Sequence, residues 1–167
     1  MAAALYTGLA TDTGCFKYEN TTIRAHEIAA ELKKISNVNF AKINREMFDV
    51  IAENVNPDPS WETPEKIYYS RGQFAKGIPF EFGYDMLDSF FAQNGYTVLY
   101  PERVPLGKMI HYIRNSKVVA SLSGSLPHNM FFARNGQKVE IIERCTINDD
   151  NQVDVNRIRD LHVVPVD

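Results

Sequence analysis

Three groups of polar residues follow apolar runs in the second half of this chain, where they could contact an anionic ligand. Ser70-Arg71 follow the run KIYY, Ser123-Gly124-Ser125 follow KVVASL, and Glu143-Arg144 close the run KVEII. Ligands of open α/β sheets bind at the carboxyl ends of the strands. If these runs are neighbouring parallel strands, their polar ends therefore form one candidate binding site.

The turn Ser123-Gly124-Ser125 is the most informative of the three. Small residues before a predicted helix leave backbone N–H groups free at the helix start, and Pro127 in the first turn costs nothing there. Such a turn binds phosphate or pyrophosphate through its N–H groups and the helix dipole, and Arg71 could add a bidentate contact. Simpler interpretations stay open. The turn could be an ordinary turn, His128 a surface histidine and Arg71 an exposed charge at a strand end. Glu143 and Arg144 could form an ion pair with each other.

A second candidate lies near the amino terminus, in the stretch LATDTGCF of residues 9–16. Asp12 ends an apolar run and precedes Thr13-Gly14, which resembles a metal ligand on a strand-to-loop turn. A two-metal phosphoesterase site needs several further carboxylates and histidines near that aspartate. The sequence does not supply a matching set, so Asp12 is predicted to bind manganese weakly if at all.

In the second half of the chain, sequence patterns typical of strands alternate with patterns typical of helices, and the polar groups described above follow the strands. Helices are predicted in YDMLDSFFAQNG, LGKMIHYIRN, the short LPHNMFFA and weakly near 151–160. Strands are predicted in KIYYS, YTVLY, KVVASL, KVEIIE and LHVVPV. Strands separated by helices predict a parallel, doubly wound Rossmann-like α/β sheet over 65–167, with helices on both faces. Tyr68, Phe90 and Phe91 are predicted core residues.

The first half predicts a short β–α segment followed by a junction. Residues 3–11 have the pattern of a buried strand, and Thr22 is a plausible N-cap of a helix. The apolar face of that helix comprises Ala25, Ile28, Ala29 and Leu32. A further helix is predicted in FAKINREMFDVIAENV, before the proline-rich NPDPSWETPE. The predicted organisation is 1–48, a junction at 49–64, and an α/β domain at 65–167.

The composition restricts the function classes. A net charge of −3 without a basic block argues against binding to long nucleic acid. The two cysteines, Cys15 and Cys145, make neither a disulfide framework nor a zinc-binding spacing. The amino terminus lacks the basic region of a signal peptide, and no apolar run could span a bilayer. A cytoplasmic location is therefore expected.

The ordered motifs of the second half resemble the family sixty-one glycosyltransferases of the capsular-polysaccharide type. They are IYYSR, NGYTVLYPERVPL, IRNSKVVASLSGSLPHNMFF, VEIIER and NRIRDLHVVPVD, and they cover about residues 48–167. The resemblance implies one lobe of a GT-B-like fold, a nucleotide-sugar donor, a glycan acceptor, polysaccharide synthesis and no cofactor. The donor-binding candidates that it implies are Arg71, Ser123, Gly124, Ser125, His128, Asn129 and Glu143.

The catalytic candidates implied by the same resemblance are His128 and Glu81. The sequence departs from the family pattern at three places. Ser123-Gly124-Ser125 stands where His-Gly-Ala is frequent, a common glutamine is missing around Lys108-Met109, and Glu81 is the acidic residue nearest to the expected position.

The first 48 residues resemble another family, the DHH-type phosphoesterases of the oligoribonuclease and phosphoadenosine-phosphate phosphatase group. The resemblance rests on LYTGLATDTGCFKYENTT, AHEIAAELKK and FAKINREMFD. It implies a carboxy-terminal fragment of such an enzyme, with Asp12 at the position of a manganese ligand and the other ligands upstream. The chain is therefore interpreted as a chimeric or truncated join, with its seam in 36–60. A non-catalytic α/β interaction domain is a further alternative.

Overall fold

The computed structural model describes residues 1–14, 16–36, 39–73, 83–144 and 150–166. They form two compact units, Met1–Asn44 and Arg45–Asp167. The helices are α1 (Ala2–Asp12), α2 (Ile23–Ser36), α3 (Phe40–Glu53), α4 (Tyr84–Gln93), α5 (Leu106–Asn115) and α6 (Asp150–Arg159), with 3₁₀-helices at Pro101–Arg103 and Pro127–Phe132. The strands are β1 (Lys66–Tyr69), β2 (Thr97–Leu99), β3 (Val118–Leu122), β4 (Lys138–Ile142) and β5 (His162–Val166).

The second unit is built on one five-stranded sheet in the order β2-β1-β3-β4-β5. All four strand pairs are parallel. The register aligns Tyr69 of β1 with Ser121 of β3, and Leu122 of β3 with Ile142 of β4. The predicted parallel α/β sheet is therefore confirmed, and its strand ends meet at one edge as parallel pairing requires.

Helices cover both faces of this sheet because side chains alternate along each buried strand. Ile67 and Tyr69 of β1 belong to a core cluster that includes Ile113 of α5. Tyr68 lies between them in sequence and belongs to a separate cluster with Phe91 of α4. The Tyr68 and Phe91 rings are stacked, with centroids 4.0 Å apart.

One predicted core residue is exposed. Phe91 is 3% exposed and Tyr68 is fully buried, whereas Phe90 is 56% exposed. Consecutive residues of an α-helix point about 100° apart, so the face that buries Phe91 against Tyr68 turns Phe90 away from the sheet. The prediction for Phe90 was therefore wrong.

A partly buried ion-pair network in the second unit joins residues of α3, α5 and α6. Asp49 of α3 accepts hydrogen bonds from Arg114 of α5 at 2.7 Å and from Arg159 of α6 at 2.8 Å. The Arg159 side chain is only 1% exposed, and its Nε also donates to the Phe131 carbonyl oxygen at 2.6 Å. Burial raises the pKa of Asp49, but the two arginine hydrogen bonds outweigh it and hold the pKa below its ordinary value.

The first unit corrects the strand predicted for residues 3–11. This stretch lies within helix α1, Ala2–Asp12. Its alanines and leucines are strong helix formers, and a short apolar run has no period that separates a strand from a helix. The Thr7 hydroxyl donates to the Ala3 carbonyl oxygen one turn earlier, at 3.0 Å.

The next two helices agree with their predictions. Helix α2 is preceded by Thr22, whose Oγ1 accepts a hydrogen bond from the Ala25 N–H at 3.2 Å. That contact is the expected N-cap. Helix α3 spans Phe40–Glu53, within the stretch predicted for it.

The compact units divide between Asn44 and Arg45, whereas the sequence places the junction at 49–64. Cys15 and Cys145 fall outside the described residues. Within the part of the chain that the structure describes, no helix has the length and apolar character needed to cross a membrane.

Candidate functional site

The candidate site lies at the edge of the sheet where β1, β3 and β4 end. Because these three strands are adjacent and parallel, the residues that follow them emerge side by side. Ser70-Arg71, Ser123-Gly124-Ser125 and Glu143-Arg144 are those residues. Ser70 is fully buried, Arg71 is half-buried and Ser125 is exposed.

A pocket of about 170 Å³ opens at this edge. It is lined by Ser70, Arg71, Pro101, Glu102, Ser125 and Leu126. The pocket therefore brings together two residues that the sequence predicted to share a crevice, Arg71 and Ser125. Its volume is below the roughly 300–1,000 Å³ of complete small-molecule sites. The space suits one part of a nucleotide, such as its phosphates.

The turn after β3 is tied to the end of β4. The Ser123 N–H donates to the Ile142 carbonyl oxygen at 2.9 Å, and Ser123 Oγ accepts from the Arg144 N–H at 3.0 Å. Arg144 Nε donates to the Ser123 carbonyl oxygen at 2.6 Å. The Arg144 side chain therefore lies over the turn and adds a second cationic residue beside it.

Gly124 makes this arrangement possible. Its φ is +121°, a conformation that residues with a Cβ rarely adopt. A Cβ at this position would lie 2.6 Å from Arg144 Nη2. The absence of a side chain therefore permits both the backbone conformation and the close approach of the guanidinium.

The backbone beyond Gly124 has two N–H groups at residues that line the pocket. Among the described residues, none accepts a hydrogen bond from the N–H of Ser125 or of Leu126, and both residues line the pocket. The helix that follows is a six-residue 3₁₀-helix, Pro127–Phe132. So short a helix has few aligned peptide dipoles. The two N–H groups and the arginines, rather than a helix dipole, are the attractive groups for an anion.

The remaining predicted site residues lie at varied distances from this pocket. His128 and Asn129 are half-buried on the 3₁₀-helix that follows it, and Asn129 Nδ2 donates to the Leu126 carbonyl oxygen at 3.0 Å. Glu143 is exposed at the end of β4 and does not line the pocket. Glu81 lies outside the described residues. The roles predicted for these residues stay predictions.

The structure gives no support to a metal site at Asp12. Asp12 is the last residue of α1 and is exposed, not the end of a buried strand. Its carbonyl oxygen accepts a hydrogen bond from Asn20 Nδ2 at 3.1 Å. Across the described residues, no group of three or more His, Cys, Asp or Glu side chains could hold a metal ion.

Sequence reasoning missed two features of this edge. The first is the contact of Arg144 with the turn after β3: the sequence placed Glu143-Arg144 at a strand end of the candidate site but did not name Arg144 as a donor-binding residue. The second is a carboxylate on the wall of the pocket, Glu102, which follows β2 in a 3₁₀-helix. A signal for both existed, because each follows a predicted strand at the same edge as Arg71.

Comparison with known proteins tests both of the family resemblances seen in the sequence. The sequence profile described as glycosyltransferase 61 matches residues 23–140, more than half of the chain. The match begins at α2, inside the segment in which the sequence resembled a phosphoesterase. Nothing found by the comparisons supports that second resemblance. No curated protein matches the chain.

Proposed function

Because the chain belongs to the glycosyltransferase 61 family, we propose that its α/β unit binds the diphosphate of a nucleotide-sugar donor. The sugar would be transferred to a glycan acceptor in the synthesis of a cell-surface polysaccharide such as a capsule. One observation carries this proposal. Arg71 from the end of β1 lines the same pocket as Ser125 and Leu126 after β3, whose N–H groups donate to no described residue.

These groups match the chemistry of the leaving group. Glycosyl transfer from such a donor releases a nucleoside diphosphate, on which negative charge develops as the glycosidic bond breaks. A planar guanidinium and preorganised backbone N–H donors stabilise such charge without rearranging. The pocket of about 170 Å³ holds the diphosphate, while the nucleoside and the sugar extend beyond it.

Two further residues complete the proposed donor site. Arg144 lies against Gly124, so a small rotation of its exposed side chain places a second guanidinium beside the phosphates. Glu102 lies on the pocket wall, where its carboxylate can accept a hydrogen bond from a ribose hydroxyl. The donor-binding candidate that the sequence named at the end of β4, Glu143, is exposed and is not among the residues that line the pocket.

The catalytic base is proposed from the family resemblance alone. His128, which follows the pocket lining by two residues on the 3₁₀-helix, is the candidate among the described residues. Glu81 is the alternative. Either residue would take the proton of the acceptor hydroxyl as that oxygen attacks the sugar.

Titration of the chain with uridine, guanosine and cytidine diphosphates tests the proposal. Wild type should bind one of them, and Arg71→Ala should weaken that binding about tenfold to a hundredfold, since a charge-assisted contact is worth about 1.5–3 kcal/mol. Arg134→Ala is the matched control, because it removes the same charge from an exposed residue outside the pocket lining.

Two outcomes would count against the proposal. Equal affinities of wild type and Arg71→Ala would mean that Arg71 does not contact the diphosphate. An equal loss in Arg71→Ala and Arg134→Ala would mean that only the net charge of the chain matters.

A further inference from the structure

A group of polar side chains, one fully buried and three half-buried, lies beside the pocket, on the sheet face that α4 covers. Tyr68 of β1 is fully buried there. Tyr84 and Asp88 are one turn apart on α4, so they share a face of the helix. Tyr100, just after β2, donates a hydrogen bond from its hydroxyl to Asp88 Oδ2 at 2.9 Å.

Three polar atoms of this group have no hydrogen-bond partner among the described residues. They are the Tyr68 hydroxyl, the Tyr84 hydroxyl and Asp88 Oδ1, and each of these atoms is buried. Folded proteins satisfy the great majority of their buried polar atoms, so each exception requires an explanation. Asp88 is close enough to Tyr68 to act on its hydroxyl electrostatically, and it shares a helix face with Tyr84. Two hydroxyls and one carboxylate oxygen match the hydrogen-bonding needs of a ligand hydroxyl, which both donates and accepts.

The group is continuous with the wall of the pocket. A Cβ built on Gly72 would lie 3.2 Å from both Asp88 Oδ2 and Ser70 Oγ, and 3.4 Å from Tyr84 Cβ. Ser70 lines the pocket, and its Oγ accepts a hydrogen bond from the Gly72 N–H at 2.9 Å. Tyr100 directly precedes Pro101, another lining residue.

We propose that Tyr68, Tyr84 and Asp88 form a hydroxyl-binding site that takes a hydroxyl group of the donor sugar. This inference rests on the proposed function, because the diphosphate in the pocket would bring the sugar to this wall. With this site, the chain would bind the sugar of the donor as well as its phosphates. The sequence motifs did not indicate its three residues as ligand contacts, and none of the three lines the pocket.

The chemistry of the group fits a neutral, polar ligand. Burial raises the pKa of Tyr68 above its ordinary value, with further contributions from Asp88 and Tyr100. The phenol therefore keeps its proton at physiological pH and can donate to a sugar oxygen, while Asp88 Oδ1 can accept from the sugar hydroxyl.

The test compares two ligands and two tyrosine variants. The nucleoside diphosphate that binds wild type is titrated beside the same nucleotide carrying glucose, galactose, N-acetylglucosamine or xylose. Tyr68→Phe removes one hydroxyl of the site and should weaken binding of the preferred nucleotide sugar about threefold to tenfold. Its affinity for the diphosphate alone should not change.

Tyr69→Phe is the matched control, because it removes a buried hydroxyl from the next residue of the same strand on the opposite face of the sheet. The Tyr69 hydroxyl donates to the Met109 carbonyl oxygen at 3.5 Å. This variant should bind both ligands as wild type does. A thermal melt gives a second readout: Tyr68→Phe should unfold at the wild-type temperature or above it, since it removes a buried hydroxyl to which no described residue is hydrogen-bonded.

The possible outcomes separate this inference from the proposed function. A nucleotide sugar that binds Tyr68→Phe as tightly as wild type, while Arg71→Ala loses the diphosphate, would overturn the hydroxyl site alone. An equal loss of both ligands in Tyr68→Phe would overturn it too, because the effect would not concern the sugar. Failure of wild type to bind any diphosphate would overturn the proposed function and this inference with it.

Discussion

Replacing Gly124 by alanine should weaken diphosphate binding while the chain remains folded. The structure places a Cβ at this position 2.6 Å from Arg144 Nη2, which is closer than real Cβ contacts allow. The guanidinium must therefore move, and the 2.6 Å hydrogen bond from Arg144 Nε to the Ser123 carbonyl oxygen is lost or weakened. The turn loses both its cation and its preferred backbone conformation.

The backbone dominates the cost to stability. Alanine at a φ of +121° costs about 1–3 kcal/mol, since residues with a Cβ populate that region sparsely. The Arg144 side chain is exposed, so loss of its contact adds at most about 1 kcal/mol. Single domains are stable by about 5–15 kcal/mol, and Tm should fall by about 2–4 °C for each kcal/mol lost. The variant should therefore still fold at 25 °C.

Isothermal titration with the bound nucleoside diphosphate measures the functional effect. Gly124→Ala should weaken binding about tenfold, which corresponds to about 1.4 kcal/mol and to one displaced charge-assisted contact. Gly136→Ala controls for strain, because Gly136 has a φ of +73° with nothing within 4 Å of its Cβ position. It should lower Tm and leave the affinity unchanged. Wild-type affinity in Gly124→Ala, or the same loss in both variants, would refute this reasoning.

Two further perturbations test the fold and the metal. Asp49→Ala should lower the free energy of unfolding by about 3 kcal/mol at pH 7, because the fully buried Arg159 loses its carboxylate while Asp49 itself is 32% exposed. The control Glu65→Ala breaks an exposed ion pair and should leave the urea unfolding midpoint unchanged. Equal urea midpoints for wild type and Asp49→Ala would contradict this role of Asp49. Since the Arg114 and Arg159 hydrogen bonds lower the pKa of Asp49 against the effect of burial, its contribution should be complete above about pH 4, the ordinary aspartate pKa, and disappear as the pH falls through the lowered value. Asp12→Ala should not change any hydrolytic activity, and manganese-dependent release of mononucleotides from a dinucleotide that disappears in this variant would restore the phosphoesterase interpretation.

The sheet could be predicted because its signals are local. Each strand is a short apolar run, each helix has a stripe of core residues, and turn residues such as Asn94-Gly95 separate them. Helix α5 was predicted at Leu106–Asn115 and is observed there, with Met109, Ile110 and Ile113 buried as expected. Leu106 lies on the same apolar face but is 62% exposed. The apolar pattern of one helix does not show how far the neighbouring elements extend along it.

The failures occurred where the local pattern is compatible with more than one structure. The run from residue 3 to residue 11 is apolar in either conformation, and it forms the helix α1 that packs with α2. Phe90 and Phe91 are indistinguishable by composition. Only the stacking of Phe91 on Tyr68 decides which of them is buried.

In the candidate site, the order of the strands determines some contacts, and the length of individual side chains determines others. Parallel pairing of β1 with β3 brings Arg71 and Ser125 to one pocket, so their proximity follows once the strand order is known. Arg144 reaches Gly124 through the length of its side chain, and Tyr100 meets Asp88 through a turn after β2 and a helix after β1. Motif matching therefore identifies groups at strand ends, whereas the proposed sugar-hydroxyl site consists of neighbours such as Tyr68 and Asp88 that the motifs did not indicate.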